Sequence, residues 1–157
     1  MTRYYFDTSI WLDFFEHRDE PQLLKTTIAR ALVKAITNTD ARIVWSDAIT
    51  EELMSFGYTD EEFETRVYPL RQILYAVAYA QKQSGKAKDL CRKREVPLYD
   101  ALHALIARDC QAILVSRDAH FQQLRDIVRT KKPEEIIGDL ADASLQVPLE
   151  PDGDPHQ

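Results

Sequence analysis

The chain has 157 residues and a formal charge of −6, from 20 Lys and Arg against 26 Asp and Glu. That is one ordinary domain with room for a sizeable core. The four isolated glycines (Gly57, Gly85, Gly138, Gly153) exclude a glycine-rich phosphate cradle, and the longest stretch without charge is the ten residues between Arg71 and Lys82, too short to span a bilayer.

In chain order, Tyr4–Phe6 reads as a short strand and Thr8 to about His17 as a helix. Pro21–Thr37 is a longer helix, with Pro21 suited to its first turn and Leu23, Leu24, Ile28, Ala31, Leu32, Ala35 and Ile36 at helical spacing. Ile43–Trp45 is a strand, and Ser46 or Asp47 then caps a helix to about Phe56. Asp60–Arg71 reads as helical, while Leu74–Tyr79 fits a strand or a helix. Lys86–Arg94 and Asp100–Arg108 are helices separated by Pro97. Ala112–Val115 is a strand followed by a helix from Asp118, then a weak strand at Ile127–Arg129 and a short helix at Pro133–Ile137. Strands alternating with helices imply an α/β fold with a mostly parallel sheet, in which ligands bind outside the carboxyl ends of the strands.

Charge is unevenly spread. Residues 133–157 hold seven acids and no Lys or Arg, so residues 1–132 carry 19 acids and 20 bases. The stretch from Ala141 on has three prolines and little apolar content, and reads as a weakly structured tail, residues 141–157, after a domain of residues 1–140. Segment 82–94 concentrates six bases around one acid, which fits a solvated helix face or a phosphate-binding role. The N-terminus has no apolar run before a cleavage site, and Cys91 and Cys110 form no CxxC, so a cytoplasmic protein with two buried, reduced thiols is expected. Net acidity taken alone argues against a nucleic-acid partner.

Several carboxylates sit where strands end. Asp7 closes the first strand in YYFDTSIWL, and a helix N-cap is the simpler account of it. Asp100 is the one charged residue in VPLYDALHALIA, on a helix apolar nearly all round. A buried carboxylate must be capped, paired, protonated or bound to a metal. Asp118 follows the strand AILVS, where a turn Asp is common. In SDAITEELMSF, Ile49, Leu53 and Phe56 define a buried stripe; Glu52 borders it, Glu51 lies opposite, and Asp47 reads as an N-cap. Converging carboxylates select Mg²⁺ or Mn²⁺ over zinc, and the four histidines show no zinc spacing. His103 could reach the same mouth, although a partly exposed helix histidine without a role is the simpler expectation.

These segments, in this order, resemble the PIN domain family, in particular the VapC toxins of prokaryotic toxin–antitoxin pairs. YYFDTSIWLDFFE, SDAITEEL, VPLYDALHALIARD, AILVSRDAHF and VRTKKPEEII carry the resemblance, which covers about residues 3–137. It implies a three-layer sandwich with a short, mostly parallel sheet flanked by helices. It also implies a metal-dependent endoribonuclease that leaves 5′-phosphate and 3′-hydroxyl ends. Asp7, Glu52, Asp100 and Asp118 match the family's acidic residues, which hold Mg²⁺ or Mn²⁺; Thr8, Ser9 and Ser116 match its nearby polar residues more loosely. Gly57 stands five residues after Glu52, where many relatives place a glycine four after. RNA phosphate contacts would fall to Lys86, Lys88, Arg92 and Arg117. A small VapB-like antitoxin and homodimerisation are implied as well. Ile10, Trp11, Phe14 and Phe15 cannot all centre one stripe, which leaves some aromatic surface for such a partner.

Two enzyme rivals fail on their acids. A haloacid-dehalogenase-type phosphatase needs an Asp where Ser9 stands, and a receiver domain needs paired acids near the first strand. A catalytically silent PIN-like module that binds RNA or protein is the remaining alternative.

Overall fold

The computed structural model describes residues 1–16 and 22–146. His17, Pro21 and residues 147–157, on which expectations above fall, lie outside the described residues. Five parallel strands form one sheet: β1 (Arg3–Phe6), β2 (Arg42–Ser46), β3 (Leu74–Val77), β4 (Ile113–Val115) and β5 (Thr130–Lys131), in the order β3-β2-β1-β4-β5. β1 is central, with Tyr4 opposite Ile43 on one side and Tyr5 opposite Leu114 on the other. Its run YYF is buried on both faces, the pattern of a parallel strand covered by helices. The chain leaves β1 toward β2 on one side and returns as β4 on the other, so the β1–β4 boundary is the topological switch point.

Among the described residues seven α-helices surround the sheet: α1 (Thr8–Phe15), α2 (Gln22–Thr37), α3 (Asp47–Ser55), α4 (Asp60–Arg66), α5 (Gln81–Arg94), α6 (Leu98–Asp109) and α7 (Pro133–Gln146). α2 packs on α1 and α7, and α5 packs on α6. Gly57, at φ +97°, supplies the left-handed residue that ends α3. Among the described residues no helix is long and apolar enough to cross a membrane.

Local chemistry corrects several boundaries. The helix expected over Asp60–Arg71 stops at Arg66, because Pro69 supports only a 3₁₀ turn at Tyr68–Leu70. Within Leu74–Tyr79, residues Leu74–Val77 form an edge strand. α5 starts five residues before Lys86, since the Gln83 side chain accepts from Ala80 N at 2.7 Å and organises the first turn despite Gly85. The segment after Asp118 is a 3₁₀ helix, Ala119–Leu124. The last strand is Thr130–Lys131, beyond Ile127–Arg129, and α7 continues nine residues past Ile137, to Gln146. Ser46 is the N-cap of α3, and Asp47 instead accepts from Tyr79 N at 3.0 Å.

The aromatic face of α1 is mostly core. Ile10, Trp11 and Phe15 are buried and Phe14 is half-buried, with Trp11 set against Phe6, Phe14, Phe15 and Trp45. Little of that face is left for a partner. Cys91 and Cys110 are free thiols, half-buried rather than buried.

Adjacent residues of α3 give a direct check on packing. Leu53 is fully buried and Met54 is 49% exposed. Leu53→Ala should cost about 2–5 kcal/mol in urea unfolding, and Met54→Ala should stay within about 0.5 kcal/mol of wild type.

Candidate active site

Asp7 follows β1 directly and its backbone continues the ladder, Asp7 N donating to Val115 O at 3.1 Å. Its side chain is buried and fully bonded. Oδ1 accepts from Ser9 Oγ (2.7 Å) and Ile10 N (3.2 Å), and Oδ2 accepts from Ser116 Oγ (2.5 Å). Burial pushes its carboxyl pKa up, and the bonds from Ser116, Ser9 and Ile10 offset part of that. Asp7 is therefore the N-cap of α1 and a buried site carboxylate together.

Glu52 comes from α3, one turn before its end. Its Oε1 accepts from Thr8 Oγ1 and lies 2.9 Å from His103 Nε2. Burial pushes its pKa up, but the bonds from His103 and Thr8 outweigh burial and hold it below the usual value. Glu51 is exposed and bonds the Tyr79 hydroxyl at 2.9 Å, so helix phase separated the two glutamates correctly. Phe56 departs from that reading. It is 60% exposed, because α3 ends at Ser55 and the side chain leaves the buried stripe at the lip of the cleft.

Asp100 sits in the first turn of α6, where the helix dipole favours a carboxylate. Asp118 caps the 3₁₀ helix through His120 N (2.9 Å), and its own N–H donates to Ser116 Oγ (2.9 Å). Asp100 Oδ2 is buried without a hydrogen bond; His120 Nδ1 lies 3.3 Å away but makes none. Burial, then Asp118 and Asp7, push the Asp100 carboxyl up to about 6.

Asp7, Thr8, Ser9, Glu52, Asp100, His103 and Asp118 line one cleft of about 120 Å³. One compact donor set overlaps this lining without Asp7 or Glu52: one ligand atom from each of Asp100, Asp118 and His120 lies within 4.8 Å of the others. An orphaned buried carboxylate oxygen among oxygen donors fits a divalent cation. His120 escaped sequence reasoning because it is exposed and has no zinc-type spacing; its position two residues after Asp118 is the signal it offered. His103 departs from the expectation of a partly exposed helix residue: it is 1% exposed and hydrogen-bonded on both ring nitrogens.

Of the basic candidates, Arg117 lines a neighbouring pocket that shares Asp118 with the cleft, pairs with Glu134, and keeps a buried Nε without a described partner. Lys86 lies beside Arg108 and Asp109 at the other end of α6 from Asp100, nine residues or about 14 Å along the helix. Lys88 and Arg92 are exposed on the same helix as Lys86, and Arg92 pairs with Asp89.

The raised Asp100 pKa gives a pH signature in metal-free protein. Unfolded, an Asp titrates near 4; folded, this one titrates near 6. Between those values the folded state holds a proton that the unfolded chain has released, so stability falls as pH rises through the window. Above about 6 the penalty is complete, and below about 4 it vanishes. At about 1.4 kcal/mol per unit, lessened by solvent at this partly exposed group, it amounts to about 1–2 kcal/mol. Asp100→Asn removes it. In chelator, its melting temperature should exceed wild type by several degrees at pH 7.5 and match it at pH 3.5. Equal melting at both pH values contradicts the assignment.

Comparison with known proteins bears on the family and the fold. Residues 4–127 match the model of the PIN domain family. No curated protein sequence matches the chain. Among solved structures, VapBC-1 from nontypeable Haemophilus influenzae is 17% identical with a TM-score of 0.60, covering 85% of this chain and 99% of that one. A toxin–antitoxin complex from Klebsiella pneumoniae is 19% identical with a TM-score of 0.56, covering 82% and 96%. VapBC2 from Rickettsia felis, bound to a DNA fragment from its promoter, is 14% identical with a TM-score of 0.56, covering 83% and 98%. At these identities the structural likeness speaks for the fold. The family match spans most of the chain and includes all four carboxylates of the cleft, and the chain belongs to the PIN domain family.

Proposed function

We propose that this chain is a metal-dependent endoribonuclease that hydrolyses RNA phosphodiester bonds, and the toxin of a toxin–antitoxin pair. The single observation that carries the nuclease reading is the orphaned, buried Oδ2 of Asp100 in a cleft of carboxylates. Membership of the PIN family and likeness to VapBC complexes support the toxin reading. A small VapB-like antitoxin and a second copy of the chain are the proposed protein partners, and the cytoplasm is the proposed location.

Asp7, Glu52, Asp100 and Asp118 would hold Mg²⁺ or Mn²⁺, with His120 beside Asp100 and Asp118. When bound, the cation supplies Lewis acidity and positive charge at the scissile phosphate. The chain's own residues do the rest. Ser9, Ser116 and Ile10 N hold Asp7 in one rotamer, and Thr8 and His103 hold Glu52. Next to Asp118, Arg117, Gln122, Thr130, Lys131 and Lys132 line a second pocket of about 280 Å³. Three of its side chains, Arg117, Lys131 and Lys132, are cationic, which suits a phosphate of the RNA strand flanking the cut. Lys86, Lys88 and Arg92 form a more distant candidate contact for the same strand.

The deciding experiment incubates the purified chain with total RNA and Mg²⁺ or Mn²⁺. Cleavage is expected, with 5′-phosphate and 3′-hydroxyl ends. Chelator should abolish it, and Asp100→Asn should lower it at least a hundredfold while remaining folded. Wild-type cleavage by Asp100→Asn sinks the reading, and RNA binding without cleavage would make the chain a silent binding module.

Salt dependence tests the two basic regions separately. Arg117→Ala should weaken binding to a short RNA and lower the slope of log affinity against log salt by about one. Replacing Lys86, Lys88 and Arg92 together with Ala should lower the slope for a longer RNA. An unchanged slope removes that region from the RNA path.

A further inference from the structure

A string of hydrogen bonds crosses the core from the first turn of α3 to the cleft. Ser46 Oγ accepts from Ile49 N at 3.3 Å. Tyr5 Oη lies 2.7 Å from Ser46 Oγ and 2.6 Å from His103 Nδ1. His103 Nε2 lies 2.9 Å from Glu52 Oε1. Tyr5, Ser46 and His103 are all buried, so solvent cannot supply missing partners.

The bonds have one self-consistent direction. Glu52 carries a carboxylate, which only accepts, so Nε2 donates to it. If Nδ1 carried a proton as well, Tyr5 Oη would have to accept it. Either the Tyr5 or the Ser46 hydroxyl proton would then lack an acceptor among the described hydrogen bonds. The pattern without an orphan runs Ser46 Oγ–H to Tyr5 Oη, Tyr5 Oη–H to His103 Nδ1, and His103 Nε2–H to Glu52 Oε1. Thr8 Oγ1 donates to the same Oε1. All described hydrogen bonds to this carboxylate therefore fall on Oε1, and none on Oε2.

We propose that His103, itself oriented by Tyr5 and Ser46, is a positioning residue that holds Glu52 by Oε1 and reserves Oε2 for a divalent cation. The inference rests on the metal-dependent reading of the cleft. A residue two contacts from the cleft, Tyr5 in the central strand, thereby becomes part of its preorganisation.

Two measurements on the full chain test it. In metal-free protein, long-range ¹H–¹⁵N spectra of the histidine rings should find His103 protonated on Nε2 and bare on Nδ1. A proton on Nδ1 overturns the string, whatever the cleft binds. In the second measurement, Mn²⁺ affinity is read by electron paramagnetic resonance for wild type, His103→Leu, His103→Gln and Tyr5→Phe, with circular dichroism reporting the fold. His103→Leu should bind Mn²⁺ at least tenfold more weakly. His103→Gln, which keeps a donor, should recover to within about threefold of wild type. Tyr5→Phe keeps the ring and should weaken binding about threefold, which also covers the case in which His103→Leu fails to fold. Wild-type affinity in folded His103→Leu and Tyr5→Phe overturns the positioning role and leaves the metal reading standing. A wild-type chain that takes up no Mn²⁺ overturns the metal reading, and the positioning role with it.

Discussion

Like charge gathered at the carboxyl edge of a parallel sheet is the constraint around which the rest is arranged. Asp7, Asp100 and Asp118 meet where β1 and β4 end, and each raises the free energy of charging Asp100 or is raised by burial itself. The fold offsets this unequally. Asp7 has three donors on its two oxygens, Glu52 has two on one oxygen, and Asp100 keeps a buried oxygen with none. The imbalance is therefore concentrated on one residue. A polar group left in that condition marks a binding position more often than an error of packing, because the neighbours that could have satisfied it are committed elsewhere.

Topology supplies the convergence. In this sheet every strand hands over to a helix or turn at the same edge, so helix N-termini collect there with their unpaired N–H groups. Asp7 caps α1, Ser46 caps α3, Asp118 caps the 3₁₀ helix, and Asp100 occupies the first turn of α6. From sequence alone, capping and site chemistry are rival accounts of Asp7 and Asp118. In the folded chain they are one account. A cap fixes the carboxylate's rotamer, and a fixed rotamer is what a preorganised ligand needs.

What the sequence made legible follows from locality. Strand and helix identity came from periodicity, and Glu52 was separable from Glu51 because their phase differs within a single helix. The errors arose where distant segments decide. His103 looked idle because its partners, Tyr5 and Glu52, are 98 and 51 positions away. Phe56 looked buried because its phase is right, yet α3 stops one residue earlier. The 3₁₀ form after Asp118 and the early start of α5 depend on individual capping bonds that periodicity does not register.

The charge balance also changes meaning in three dimensions. By composition the acidic stretch from residue 133 is partly a tail separate from the domain, but its first acids are built into α7. Glu134 pairs with Arg117, and Asp139 accepts from Lys131 Nζ at 2.5 Å. α7 therefore sets its carboxylates against basic side chains of the pocket next to Asp118. Such partly exposed pairs contribute about 0–1 kcal/mol each. A polyanion that brings several phosphates gains more than that from the same bases, through charge and counterion release. The acids of α7 thus lower the resting basicity beside the cleft without removing it. A net charge of −6 thus coexists with local bases, Arg117 and Lys131 beside Asp118, each held by a weak, partly exposed pair.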